Sequence, residues 1–117
     1  MKLVYVAGPL RAADTWSVEQ NIQIVERLAL DVFGLGAYPV YVHPFARYTE
    51  GRRALAMRGS LELMRRCDAL ILAAGWDSSD GSVGEWNEMA KLGKPVFYTL
   101  DSLRVWIWTH NSILDAR

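Results

Sequence analysis

The run Asp68-Ala69-Leu70-Ile71-Leu72-Ala73 is apolar on successive residues rather than on alternate ones. A strand of this kind has no face to offer water, so it belongs inside a sheet covered by helices on both sides, the usual setting of parallel strands. Working outward, Leu3 to Val6 is a short β-prone run stopped by Gly8-Pro9. Tyr38 to Val42 supplies a second strand, with Pro39 at its beginning or on an edge. Pro95-Val96-Phe97-Tyr98 supplies a fourth.

Helical patterns fill the intervals. From Ser17, the residues Val18, Ile22, Val25, Leu28, Ala29, Val32 and Phe33 recur three or four apart until Gly34 and Gly36 end the pattern. After a looser basic region from His43 to Arg58, Leu61 and Met64, with Met57 as a further candidate, place an apolar stripe on a second helix ending near Arg66. A third helix is expected from about Ser82 to Leu92, closed by Gly93, and the chain again reads as helical from Ser102. Strand and helix in alternation predict an α/β protein: a three-layer, doubly wound, mainly parallel sheet of four to five strands, Rossmann- or flavodoxin-like. The 117 residues suit one domain, 1–117.

Composition narrows the function classes. Thirteen basic and thirteen acidic side chains cancel, which argues against a general nucleic-acid binder. A single cysteine, Cys67, cannot form an internal disulfide and reads as a buried small hydrophobe. No apolar run reaches the roughly 20 residues that span a bilayer, so no membrane partner is expected. A cytoplasmic protein is the simplest reading. His43 and His110 lie far apart and no spacing resembles a metal site, so neither metal nor cofactor is called for. The last segment carries Leu103, Val105, Trp106, Ile107 and Trp108 around much of a helix. Such a helix needs cover from more than one side, which points to a homodimer or larger homo-oligomer.

In open α/β sheets, ligands sit beyond the carboxyl ends of the strands. Three loops converge there by topology: Ala7 to Asp14, His43 to Glu50 and Ala74 to Ser82. Gly8 permits close backbone approach, Arg11 can pair with a carboxylate or phosphate, and His43 ends the second strand where it can line the pocket. Neither a three-glycine dinucleotide fingerprint nor a Walker lysine is present. Glu85 sits at the mouth of the expected third helix and has two readings. Ser82-Val83-Gly84-Glu85 fits a capping box, with serine capping and glutamate bonding back to its amide. Alternatively, the carboxylate faces the pocket.

Taken together, Tyr5-Val6-Ala7-Gly8-Pro9-Leu10-Arg11, Cys67 to Leu72, Ser79-Asp80-Gly81 with Glu85, and Gly93-Lys94-Pro95-Val96 resemble the nucleoside 2-deoxyribosyltransferase superfamily. The pattern is nearest its short branch, which includes the 2'-deoxynucleoside 5'-phosphate N-hydrolases. The resemblance runs from Lys2 to about Tyr98. It implies that Glu85 is a nucleophile attacking the anomeric carbon of a small-molecule nucleoside or nucleotide, with a covalent glycosyl-enzyme resolved by water or a second base. Tyr5 would orient that carboxylate, and Gly8, Arg11, Ser79 and Gly81 would surround the sugar or its 5'-phosphate. Two positions depart from the pattern: Pro9 stands where the phosphate-hydrolysing branch tends to have serine, and Ser60 where the family has a catalytic aspartate. Glu62 and Asp68 are the nearby acids that could compensate. The Ser60 departure motivates a second reading, a nucleotide-binding module without chemistry. Cleavage of the nicotinamide–ribose bond of NAD is a third.

Overall fold

The computed structural model describes residues 1–110. Its strands are β1 (Leu3–Ala7), β2 (Tyr38–Val40), β3 (Ala69–Leu72) and β4 (Val96–Phe97). The helices are α1 (Thr15–Gly34), α2 (Arg53–Arg65), α3 (Asp80–Lys91) and α4 (Leu100–His110). All strand pairs are parallel and the order is β2-β1-β3-β4. This is the doubly wound α/β architecture expected, with four strands.

Alternation along the two central strands divides the core. Val4 and Val6 of β1 and Ala69 and Ile71 of β3 pack with Val25, Ala29 and Val32 of α1 and Leu103 and Ile107 of α4. Tyr5 and Ala7, with Leu70 and Leu72, face the opposite way, onto Met64 of α2 and Met89 of α3. Both faces are therefore covered, as the unbroken apolar run of β3 requires. Tyr5 is in register with Leu70, so a tyrosine occupies the centre of the sheet on the α2–α3 side.

Several boundaries differ from the sequence reading. A side-chain cap starts α1 earlier than Ser17: Asp14 Oδ1 accepts the Ser17 N–H at 2.7 Å. Phe33 is 55% exposed and packs edge-to-face on Tyr38 instead of joining the core. The basic region from His43 forms two short 3-10 turns, His43–Tyr48 and Glu50–Arg52, and α2 begins directly after them. In α4, Leu103 and Ile107 reach the protein's own core, while Trp108 is 85% exposed. Part of the segment expected to drive oligomerisation is thus covered within the chain. Asn111 to Arg117 lie outside the described residues. Among the described residues, no helix is long and apolar enough to cross a membrane.

The order of strands reverses between β1 and β3, so the loops leaving them flank the switch point where α/β sheets hold ligands. At this point the main chain is tightly drawn. A Cβ on Gly8 would meet Ala73 Cβ at 2.9 Å and Val25 Cγ2 at 3.2 Å. The glycine after β1 therefore serves close packing against the end of β3.

Candidate active site

The N-terminus of α3 places Glu85. Ser79 is its cap, with extended backbone angles and a side chain that accepts the Ser82 N–H at 3.3 Å. Asp80 then sits in the first turn, where a negative charge suits the helix dipole. The expected cap at Ser82 is thereby corrected: Ser82 lies inside the helix, is 1% exposed, and leaves its hydroxyl without a partner. Glu85 falls beyond the reach of the cap, so the capping-box reading of this residue is overturned. Two serines three residues apart each begin a plausible cap, and Asp80 at the dipole end favours the earlier one.

Freed from capping, Glu85 is largely buried, with some contact with solvent, and its carboxyl faces the Tyr5 hydroxyl. Burial pushes it up to about 7, offset in part by the hydrogen-bonding influence of Tyr5. Tyr5 is fully buried and its hydroxyl has no hydrogen bond of normal geometry, yet the Glu85 and Ser60 side chains stand close enough to act on it. Burial, and next the Glu85 charge, hold the phenol protonated well above its ordinary range. Helix α2 brings Ser60 to this spot, and the Ser60 hydroxyl donates to Met57 O at 2.9 Å. Tyr5, Ser60 and Glu85 thus converge from β1, α2 and α3.

The acids considered as substitutes for an aspartate at position 60 are occupied elsewhere. Asp68 Oδ2 accepts the Leu3 N–H at 2.8 Å and ties the start of β3 to β1. Glu62 accepts from Arg65 Nη1 at 2.9 Å, and Arg65 Nε donates to Glu88 at 2.9 Å, clamping α2 to α3. Lys94, part of the sequence pattern, is structural: its Nζ donates to the carbonyls of Arg65 and Cys67 at the end of α2. Cys67 is buried and unreactive, its thiol pushed up to about 11 by burial.

Arg11 lies in a neighbouring cleft of ≈ 500 Å³, lined with Leu10, Ala12, Val18, Ala46, Glu50 and Arg53. Its guanidinium donates to Glu50 at 3.3 Å. Glu85, Tyr5 and Ser79 are not among the lining residues. The link between cleft and carboxylate is α2 itself. Arg53 opens that helix and Ser60 follows on the same face two turns later, roughly 10 Å along the axis. Arg53 is not among the site residues expected from the sequence; its spacing of seven from Ser60 was the available signal.

His43 acts as a brace. It is 4% exposed, and its Nε2 donates to Gly8 O at 2.9 Å, joining the loops after β2 and β1. Burial lowers its pKa, and Nδ1 has no partner. Pro9 packs near Gly75, whose φ of +85° is open to glycine. Gly81, in the first turn of α3, has open space where a side chain would stand. No group of three or more candidate metal ligands occurs among the described residues.

Chemically, the site offers a largely buried carboxylate steered by a neutral phenol, a helix N-terminus beside it, and an arginine-lined cleft along α2. No curated protein matches the chain. Residues 2–99 match the family described as a domain of unknown function, DUF7768, and the chain belongs to that family.

Proposed function

We propose that this protein cleaves, or transfers, the N-glycosidic bond of a nucleoside or nucleoside 5'-monophosphate, with Glu85 as the nucleophile. The observation that carries this reading is the largely buried Glu85 carboxyl facing the buried Tyr5 hydroxyl, with no ion pair to it among the described residues. A structural carboxylate at such depth is normally paired with a cation or with main-chain amides. An unpaired one costs stability and is suited to attack on an electron-poor carbon.

In this reading the ionised carboxylate attacks the anomeric carbon as the base departs. The Tyr5 O–H, held protonated, steers the attacking oxygen. Water, or an acceptor base, then takes the sugar from the ester and regenerates the carboxylate. The cleft with Arg11 and Arg53 suits an anionic 5' substituent, as do the first-turn amides of Asp80 and Gly81 at the α3 N-terminus. Ser79, as the cap, fixes where those amides lie. The substrate is a soluble metabolite, consistent with action in the cytoplasm. A homodimer is proposed through the exposed part of α4, including Trp108, and sedimentation at micromolar concentration tests it.

Incubation with a panel of ribo- and deoxyribonucleosides and their 5'-monophosphates, followed by chromatography for free base, tests the reading. Base release that vanishes in Glu85→Gln supports it. No release across the panel refutes it in favour of a nucleotide-binding module, which thermal shift with the same compounds would reveal. Ser60 in place of an aspartate is the observation favouring that second reading.

A further inference from the structure

Glycosidic cleavage usually needs two carboxyl groups, one to attack and one to protonate the departing base. No second carboxyl acts on Glu85 among the described residues, and Asp77 and Asp80, the nearest acids before it along the chain, are exposed to solvent. The groups acting on the site are the Tyr5 phenol and the Ser60 hydroxyl. Ser60 already spends its proton on Met57 O. The neighbouring carboxylates Glu62 and Glu88 are both held by Arg65, and Asp68 is bound to the β1 main chain. The phenol is a weaker acid here than in water, because burial and the Glu85 charge oppose its ionisation. A purine or pyrimidine that must pick up a proton as it leaves would find no donor.

The same site lacks a second thing. A largely buried carboxylate ordinarily has a cationic partner, and among the described residues Glu85 is in no ion pair. One class of substrate provides both. If the ring nitrogen bonded to the sugar already carries a positive charge, the ring leaves as a neutral molecule with no proton transfer. Before leaving, its charge compensates the buried carboxylate.

Resting on the glycosidase reading above, we propose that the preferred substrates are cationic N-glycosides, such as an N-ribosylpyridinium or its 5'-phosphate. In the first step a bond forms between a Glu85 carboxylate oxygen and the anomeric carbon. The carbon–nitrogen bond breaks, and both its electrons go to the ring nitrogen, cancelling its charge. In the second step water attacks the anomeric carbon and the ester bond to Glu85 breaks. The carboxylate is restored, and the water's surplus proton passes to solvent.

The test uses matched pairs: nicotinamide riboside and its 5'-phosphate against adenosine, deoxyadenosine and their 5'-monophosphates, and 7-methylguanosine against guanosine. Release of the free ring is followed by chromatography for wild type, Glu85→Gln and Ser60→Asp. General acid assistance is worth roughly 100- to 10,000-fold, so a preference of at least about 100-fold in kcat/KM for the charged member of each pair is expected. All turnover should disappear in Glu85→Gln. Ser60→Asp should narrow the preference by raising release from the neutral members.

Equal release from charged and neutral members overturns the proposal while leaving a glycosidase in place. A folded Ser60→Asp protein whose preference is unchanged also overturns it, because the missing donor is then not the cause of selectivity. Absence of release from every compound overturns both this proposal and the glycosidase reading.

Discussion

Replacing Glu85 with glutamine should make the protein more stable and at the same time inactive. Glutamine keeps the size of the side chain and removes the charge. The gap between an ordinary glutamate pKa of 4.5 and about 7 in the folded protein corresponds to about 3 kcal/mol of unfavourable free energy for the ionised form. This is an upper figure, since Glu85 retains some contact with solvent. The folded protein holds the Glu85 proton to higher pH than the unfolded chain does. Wild type therefore loses stability as pH rises from 4.5 toward 7, and the loss is complete above that window.

Glu85→Gln should be free of this effect. At pH 8 to 8.5 the variant is expected to melt higher by up to about 10 °C, for a domain of this size. Near pH 4.5 the two curves should converge. Differential scanning calorimetry of both proteins across that range measures the difference directly. Activity should move the other way: kcat/KM of wild type should rise with pH through an acid limb near 7, since only the ionised form attacks. A variant that melts lower than wild type at pH 8.5, or with a difference that does not depend on pH, would refute the reasoning. Glu85 would then be a structural partner whose charge the fold uses.

Tyr5→Phe removes a group that favours the Glu85 charge, so the acid limb of the rate profile should shift upward, with kcat/KM at pH 7 falling by roughly tenfold or more. Gly8→Ala forces a methyl to within 2.9 Å of Ala73 Cβ; urea denaturation should show a loss of about 1–3 kcal/mol. Lys94→Met removes a charged donor from the last carbonyls of α2, and the same denaturation should read a loss of about 1.5–3 kcal/mol. His43 is held neutral by burial, with its pKa below the ordinary 6.5. The stability it contributes is full above pH 6.5 and lost as pH falls through its lowered folded value, so His43→Gln should flatten that part of the melting profile.

Much of the fold could be read from the chain because its two central strands carry an unambiguous signal. Four apolar residues in a row, Ala69 to Leu72, admit only a strand covered on both faces, and the helical periods on either side leave one architecture. Helix starts were harder to place. Thr15, Arg53 and Asp80 each precede the first strongly periodic residue, because caps and short 3-10 turns are set by local hydrogen bonds rather than by burial. Phe33 differs for another reason: its neighbour Val32 takes the core position in the last turn of α1, which leaves Phe33 exposed against Tyr38.

At the candidate site, residue spacing alone left Glu85 divided between capping and pocket. The resemblance to a known superfamily favoured the pocket, and the position of Ser79 as cap removed the competing role. The tertiary pairs that shape the surroundings were not legible. Arg11 meets Glu50 across 39 residues and Arg65 meets Glu88 across 23, and no periodicity announces such partners. His43, expected at the pocket, has its Nε2 bonded to Gly8 O, a contact across 35 residues that spacing does not announce either.

The distribution of unsatisfied polar atoms strengthens the functional reading of Glu85. Among the described residues, three buried side-chain atoms have no hydrogen-bond partner: Tyr5 Oη, Ser82 Oγ and His43 Nδ1. Each such orphan costs about 1–3 kcal/mol, so a domain of this size has little room for them. Tyr5 faces Glu85 directly, and Ser82 lies one turn before it on α3, within the same sheet-facing side of that helix. A purely structural version of this interface would be easily reached with phenylalanine at 5, alanine at 82 and a neutral side chain at 85, and the three changes together would raise stability. Carboxylate, phenol and hydroxyl at these positions together form a polar set whose remaining partners the described residues do not supply. The proposed ligand, a sugar joined to a positively charged ring, would complete that set.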